Sequence, residues 1–309
     1  RRQRLCLPLL VLRRSLSDAP SPRGLSCLRY FRNVRPPPRR IPGGRPMTSA
    51  ADYYRGNVTW VGSLDRRLST LVDLTAARQP SHVLDLGCGE GVLLDALAAR
   101  LRASTQLVGM DVVPPPAAAP WRGVTGNIAG HLPFADDTVD VVIAGEVLEH
   151  VPHPDLMLSE IRRVLTPSGA LLLSTPNIVG WANRVLVPLG IQPLFTETSS
   201  EVHLGRRFRA LGQGNQVQGH LKVFSHRALL EIMVRTGFTV QQVLGMPGEF
   251  PKPVDRVDRL CARFPSIASD LLVVAVPADR VPDSPAPRRK DSRPPSAGTT
   301  NPRTAERHV

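Results

Sequence analysis

Residues Val83-Leu84-Asp85-Leu86-Gly87-Cys88-Gly89-Glu90-Gly91 run from a short apolar segment into three glycines at alternate positions. His82–Leu86 has the length and apolar content of a buried strand, and Leu93, Leu94, Leu97 and Leu101 beyond the glycines recur at helical spacing. Strand, glycine turn and helix therefore follow one another. Glycine supplies positive φ in such a turn and leaves room for the backbone to approach a ligand. Twenty residues beyond Gly91, Asp111 closes the next apolar strand, Leu107–Asp111. A carboxylate there can accept hydrogen bonds from both hydroxyls of a ribose. Nicotinamide-binding sheets share this logic, but their fingerprint would need a third glycine at position 92, which is Val92. The spacing decides against them.

Outward from this turn, the same alternation continues. Leu64, Leu68, Leu71 and Val72 form a helical stripe after a Ser63 cap, and Pro80 closes the segment. Gly123–Gly126 is a weaker strand, and Val139–Ala144, apolar except for Asp140, is a run of the kind a strand buried on both faces requires. Pro154 suits a first helical turn, with Met157, Ile161, Val164 and Leu165 on one face behind it. Gly169 turns the chain into the buried strand Ala170–Thr175, and residues 176–224 show no clean period. Ser225 then caps a helix running to Gly237, followed by strands Phe238–Leu244 and Leu271–Val276. The order predicts an α/β fold: a doubly wound, mostly parallel seven-stranded sheet with helices on both faces. Without an obvious crossover helix between the last two strands, one of them is expected to run antiparallel. Ligands in such sheets sit outside the carboxyl ends of the strands, so the loops after Leu86, Asp111, Gly126, Ala144 and Thr175 are the ones to search.

The formal charge of +13 is carried by the ends of the chain. Residues 1–46 hold 12 Lys+Arg against 1 Asp+Glu and residues 277–309 hold 7 against 4, whereas residues 47–276 hold 20 against 21. A middle domain of near-zero charge has no global electrostatic reason to seek nucleic acid. The Arg-, Pro- and Ser-rich residues 1–46 are expected to be a disordered basic extension. They read either as sequence upstream of a true start at Met47 or as a mitochondrial transit peptide. Residues 277–309 lack any apolar stripe and are expected to be a disordered tail. Cys6, Cys27, Cys88 and Cys261 form no CxxC pair, which fits a reducing cytoplasm better than a disulfide framework. The longest strongly apolar run, Leu5–Leu12, falls far short of the roughly 20 residues that a spanning helix needs.

Taken together, Leu84-Asp85-Leu86-Gly87-Cys88-Gly89-Glu90-Gly91, Leu132-Pro133-Phe134 and Glu146-Val147-Leu148-Glu149-His150 resemble the LDLGCGxG, LPF and ExxEH segments of class I S-adenosylmethionine-dependent methyltransferases. The resemblance spans residues 52–276 and implies a Rossmann-like methyltransferase fold. It further implies that Asp85, Gly87, Cys88, Gly89 and Gly91 surround the methionine part of S-adenosylmethionine, that Asp111 holds the ribose, and that Asn127 and Ile128 meet the adenine. Asn127 stands where the family usually has Asp, and its amide oxygen can accept the same bond without charge assistance. The resemblance also implies that Glu146 lies beside the cofactor. Thr166-Pro167-Ser168-Gly169 resembles the family's turn before the fifth strand.

Glu146, Glu149 and His150 share one face if their segment forms a helical turn. Together with His220 they resemble the metal-assisted O-methyltransferases of ubiquinone biosynthesis and of small-RNA 3′ ends. That resemblance implies a divalent cation, Mg²⁺ for the carboxylates, with Zn²⁺ or Mn²⁺ open for the two histidines. His150 stands alternatively as a direct general base or as a purely structural partner of its acidic neighbours. In the related enzymes the region matching 176–224, which here includes Trp181, Phe195, His203 and Phe208, caps the active site, so Arg206, Arg207 and Arg209 become candidates for binding an acidic group of the substrate. The arginines equally suit an ordinary solvated face. The expected chemistry is methylation of a small-molecule or glycan acceptor, most simply at a hydroxyl oxygen. RNA ribose methylation and a non-catalytic cofactor-binding role stand as alternatives. No N-P-P-Y-like tetrapeptide follows the fourth strand, which argues against methylation of exocyclic base amines.

Overall fold

The structure, a computed structural model, describes residues 64–114, 116, 119–199, 204–205 and 218–278. The basic residues 1–46, the tail from residue 279 onward, Ser63, His203, Arg206, Arg207, Phe208 and Arg209 lie outside the described residues.

Helix α1 (Arg66–Ala77) is capped by Asp65, whose carboxylate accepts from Leu68 N at 2.7 Å. The cap expected at Ser63 thus falls two residues later. Leu64, expected on the apolar stripe, precedes the helix and is exposed, and the helix is seated by Leu71, Val72 and Thr75. The chain then runs through β1 (His82–Leu86), α2 (Val92–Ala98), β2 (Gln106–Asp111), β3 (Arg122–Thr125) and β4 (Val139–Gly145). It continues through α3 (Pro154–Val164), β5 (Leu165–Pro176), α4 (Trp181–Leu186), α5 (His226–Arg235), β6 (Phe238–Met246), α6 (Val254–Cys261) and β7 (Asp270–Pro277).

The seven strands form one sheet in the order β3-β2-β1-β4-β5-β7-β6. All pairings are parallel except those of β7, which runs antiparallel to both β5 and β6. The expected antiparallel strand is therefore the last one. The helix that does lie before it, α6, has only Asp258 fully buried and carries no apolar core stripe, so its sequence gave no sign of a crossover. The strand expected to start at Ala170 begins at Leu165. Leu165 pairs with Val139 and the next partners are Ala170 and Val141, so the turn at 166–169 is a bulge inside β5.

Period-2 alternation along the central strands separates two cores. Leu84, Leu86, Val142, Ala144, Leu171 and Leu173 face α3 and α5, which supply Met157, Leu158, Ile161, Leu229 and Met233. Val83, Val141, Ile143 and Leu172 face α1 and α2, which supply Leu71, Val72, Leu93, Leu94 and Leu97. Strand β1 lies between β2 and β4, so the chain order reverses there. A crevice at the carboxyl ends of β1 and β4 results, the usual ligand site of an open α/β sheet.

The LPF segment is held down from α3. Arg163 donates to the carbonyls of Leu132 (2.9 Å) and Phe134 (2.9 Å) and to the carboxylates of Asp136 (2.7 Å) and Glu160 (2.7 Å). Glu160 in turn accepts from Leu132 N, and Leu132 is wholly buried. Residues 176–224, which have no sequence period, contain the short helix α4 and a 3-10 turn at Val187–Leu189 over a small core of Ala182, Leu186, Ile191 and Leu194. Asn183 fastens this core by donating to the Ile178 and Leu194 carbonyls and accepting from Leu194 N.

Candidate active site

The glycine turn is stitched to β2. Gly87 N and Cys88 N both donate to the carbonyl of Met110, at 2.7 and 3.3 Å. Gly89 N donates to Asp111 Oδ2 and Val113 N to Asp111 Oδ1, each at 2.9 Å, so one carboxylate ties the turn to the loop after β2. Gly87 has φ +74°, and a Cβ there would lie 2.6 Å from Val147 Cγ2. The turn consequently packs directly against the segment after β4. Gly91 opens α2 at φ +84°, where a side chain would strike the Trp121 indole. Gly91 is thus required by packing as well as by conformation.

Asp85 is 4% exposed, and its carboxyl is pushed up to about 8, first by burial and then by the charge of Asp111. Burial likewise raises the Cys88 thiol well above its ordinary value, which makes it an inert packing group. Asn127 Oδ1 accepts from Ala129 N at 2.9 Å, and Ile128 packs against the core. The Asn127 side chain therefore shapes the loop after β3, with one oxygen lone pair committed to it.

Arg67 is the residue that sequence reasoning missed. It projects from the first turn of α1 and places Nη1 2.9 Å from Glu146 Oε1, which also accepts from Ser174 Oγ at 2.9 Å. Burial works to lower the Arg67 pKa, yet Glu146, Asp270 and Asp65 together hold it above its ordinary value. Asp270 is buried, and desolvation followed by the charge of Glu146 raises its carboxyl. Glu146 itself has φ +55°, a costly conformation for a residue with a Cβ, at the point where β4 ends. A signal for Arg67 was present: Arg66-Arg67 put two cations in a helical first turn, where the macrodipole favours anions.

Beyond Glu146 the chain makes a 3-10 turn at Leu148–His150, and its Glu149 carbonyl accepts from both Leu221 N (2.8 Å) and Lys222 N (3.0 Å). These bonds bring His220 alongside His150, with ring centroids 4.9 Å apart. Glu149, His150 and His220 each offer a ligand atom within 4.8 Å of the others. Glu149 is fully buried: Oε2 accepts from Thr175 Oγ1 at 2.9 Å, while Oε1 makes no hydrogen bond and lies 3.9 Å from His150 Nε2. Burial first, and then Glu146, raise its pKa well above the ordinary range. His150 Nδ1 contacts the Gly219 carbonyl at 3.2 Å and His220 Nδ1 contacts the Phe195 carbonyl at 3.0 Å. A carbonyl can only accept, so each Nδ1 carries a proton and each Nε2 is the nitrogen left to face the Glu149 side. Burial, reinforced by His220, lowers His150 to about 4, which keeps it neutral near pH 7. Of the four residues expected to form a metal site, the structure gathers these three and gives Glu146 to Arg67 and Ser174.

Residues 60–243, more than half of the chain, match the family model of the methyltransferase domain. A probable S-adenosylmethionine-dependent methyltransferase of Mycolicibacterium smegmatis is 33% identical over 164 residues, 51% of this chain and 61% of that protein. A demethylmenaquinone methyltransferase of Lactiplantibacillus plantarum is 34% identical over 158 residues, 47% of this chain and 62% of its own length. A ubiquinone biosynthesis O-methyltransferase of Pseudomonas putida is 33% identical over 119 residues, 34% of this chain and 49% of its own. The chain thus spans less than two thirds of the length of each of these relatives. With the sheet order, the glycine turn bound to Asp111 and this match in agreement, the chain belongs to the methyltransferase domain family, in the class I, S-adenosylmethionine-dependent group.

Proposed function

We propose that this protein transfers a methyl group from S-adenosylmethionine to a hydroxyl oxygen of a small-molecule or glycan acceptor, with residues 47–276 as the catalytic domain and 176–224 as its cap. The observation that carries the oxygen acceptor is the unsatisfied Glu149 Oε1 set beside the His150 and His220 imidazoles, shortly after the strand that flanks the glycine turn. A buried carboxylate oxygen without a donor is costly, and a divalent cation satisfies it.

In this reading Asp85, Gly87, Cys88, Gly89 and Gly91 form the wall beside the methionine part of the cofactor, Asp111 accepts from the ribose hydroxyls, and Asn127 with Ile128 borders the adenine. Arg67 is added as the cation that complements the cofactor's carboxylate, with Glu146 and Asp270 holding it in place. Glu149, His150 and His220 would hold the divalent cation, with Glu146 nearby. Carboxylate with two imidazoles suits Mn²⁺ or Zn²⁺ as well as Mg²⁺. When bound, such a cation polarises acceptor oxygens and lowers the pKa of the hydroxyl to be methylated. The protein's own groups orient the acceptor, exclude water beneath the cap and hold the cofactor so that its S–CH₃ bond points at the oxygen. His150, with a pKa near 4, is a weak proton acceptor, which favours its ligand role over direct base catalysis. A cytoplasmic setting fits the free thiols of Cys88 and Cys261. Among the described residues no helix is long and apolar enough to cross a membrane.

The test is turnover on a panel of phenols, quinols and sugar conjugates after exhaustive chelation, with Mg²⁺, Mn²⁺ and Zn²⁺ restored one at a time. Activity is expected to disappear in chelator, return with one ion, and stay absent in Glu149→Gln and His220→Ala. Full turnover in chelator would remove the metal and leave His150 as a direct base or orienting group.

A further inference from the structure

Strand β6 ends at Met246 and β7 begins at its partner Asp270, which also pairs with Pro176 at the end of β5. The connection 247–269 and the segment after β5 therefore leave the sheet on one edge, the edge of the glycine turn and Glu146. They are fastened to each other. Trp181 N donates to the Ile267 carbonyl (2.8 Å), Trp181 Nε1 to Asp258 Oδ1 (2.7 Å) and Arg184 Nη2 to the Ser266 carbonyl (2.9 Å). The Trp181 and Phe250 rings lie 5.7 Å apart between them. Helix α4 with its 3-10 extension and helix α6 thus form a single rim.

That rim carries Val185, Val187, Leu189, Val257, Leu260 and Phe264, each between 48% and 64% exposed. They are six of the eleven large apolar side chains that the described residues expose, so exposure is concentrated here and not scattered. In α6 and the turn behind it, Val257, Leu260 and Phe264 follow at i, i+3 and i+7, one helical face. The cations Arg256, Arg259 and Arg263 follow at i, i+3 and i+7 on the adjoining face, with Lys252 one turn earlier. All four cations are exposed. The acids of the same stretch are not: Asp258 is buried under donors from Trp181, Gly248 and Ser269, and Asp255 is half-buried beside Arg259. Every exposed charge in residues 250–264 is positive, and Glu249, just before them, is the exposed acid of the 247–269 connection.

An apolar helical face flanked by a row of arginines, with its acids withdrawn from the surface, is complementary to the headgroup region of an anionic bilayer. We propose that this rim docks on an anionic lipid surface, with Val257, Leu260 and Phe264 entering the acyl boundary and Lys252, Arg256, Arg259 and Arg263 meeting lipid phosphates. Docking turns the carboxyl edge of the sheet, with its candidate active site, toward the bilayer. The interaction is independent of the methyl-transfer reading and needs no acceptor.

The test uses the full chain with large unilamellar vesicles of phosphatidylcholine alone or with about a third phosphatidylglycerol, followed by sedimentation. The strongly basic residues 1–46 can themselves hold the chain on anionic vesicles, so the informative measurements separate rim from tail. In Phe264→Trp the added indole is expected to shift its emission to the blue on anionic vesicles and to be quenched by brominated acyl chains. In the double variant Leu260→Asp/Phe264→Asp, partitioning is expected to fall about tenfold or more. In Arg256→Gln/Arg263→Gln the preference for phosphatidylglycerol should shrink, with cofactor-product binding and far-UV circular dichroism unchanged in all three. Unaltered Phe264→Trp emission on vesicle-bound protein would overturn the proposal, because the basic end alone would then be the tether. So would apolar-face variants that partition like the parent. A parent dimer that these variants convert to monomer, without rim insertion into vesicles, would assign the face to a second copy instead.

Discussion

Replacing Asp111 probes the cofactor site where its geometry is best defined. An ionised carboxylate offers about four lone-pair positions. Two are occupied, by Gly89 N and Val113 N at 2.9 Å each, which leaves one on each oxygen for the two ribose hydroxyls. A hydrogen bond to a charged group contributes roughly 1.5–3 kcal/mol, so losing both ribose bonds would cost about 3–6 kcal/mol. The Gly89 bond is exposed, and water can replace part of the lost interactions, so the low end applies: about 3 kcal/mol, or roughly 150-fold in dissociation constant. Asp111→Asn keeps one acceptor oxygen but loses the charge and one acceptor, for which about tenfold is expected. Calorimetric titration of parent, Asp111→Asn and Asp111→Ala with S-adenosylhomocysteine gives the series directly, and circular dichroism checks that the sheet is intact. Asp111→Ala within about threefold of the parent would refute the ribose assignment, and binding by Asp111→Asn weaker than by Asp111→Ala would refute the bond-by-bond reasoning.

Two further outcomes concern stability. Asp85 titrates near 8 in the fold against an ordinary carboxyl value, so the folded state keeps a proton that the unfolded chain has lost. Its contribution is greatest below pH 4 and declines as pH rises toward 8. Denaturant melts of cofactor-free protein should therefore show Asp85→Asn gaining on the parent between pH 6 and pH 9, by about 2–4 kcal/mol in all; parallel curves would contradict the burial-driven shift. Glu160 is the opposite case, held down to about 2 first by its hydrogen bond to Arg163, so its stabilisation is present above about pH 4.5 and lost as pH falls through 2. Arg163→Ala frees Leu132 and Phe134 as well and should lower stability by about 2 kcal/mol at pH 7, after discount for a pair that is only partly shielded from solvent. Loss of less than about 0.5 kcal/mol would show that the LPF segment holds itself.

The readable parts of this protein share a physical cause. Strands β1, β4 and β5 are buried on both faces, and each announces itself by a predominantly apolar segment that Asp85, Asp140 and the 166–169 turn interrupt only locally. Ser225 and Pro154 occupy the cap and first-turn positions that their chemistry favours. The less legible parts have causes too. Helix α4 is six residues long and offers too few turns for a period, and α6 keeps its apolar side chains outward, so neither resembles a core helix. The turn at Thr166–Gly169 does not interrupt β5 because the pairing with β4 resumes beyond the bulge.

The amino-acid sequence by itself determined the alternation of strands and helices, the glycine turn with its acid twenty residues on, and the family to which they belong, because burial period and backbone conformation are recorded in consecutive residues. Tertiary structure alone decided which distant residues meet. His220 reaches Glu149 and His150 only because the Glu149 carbonyl accepts from Leu221 and Lys222 and because Phe195 orients the second imidazole. Arg67 becomes part of the site only when α1 packs over the end of β4 and sets it against Glu146. Contacts across seventy or more positions depend on the order in which strands are laid side by side, and no local period encodes that order.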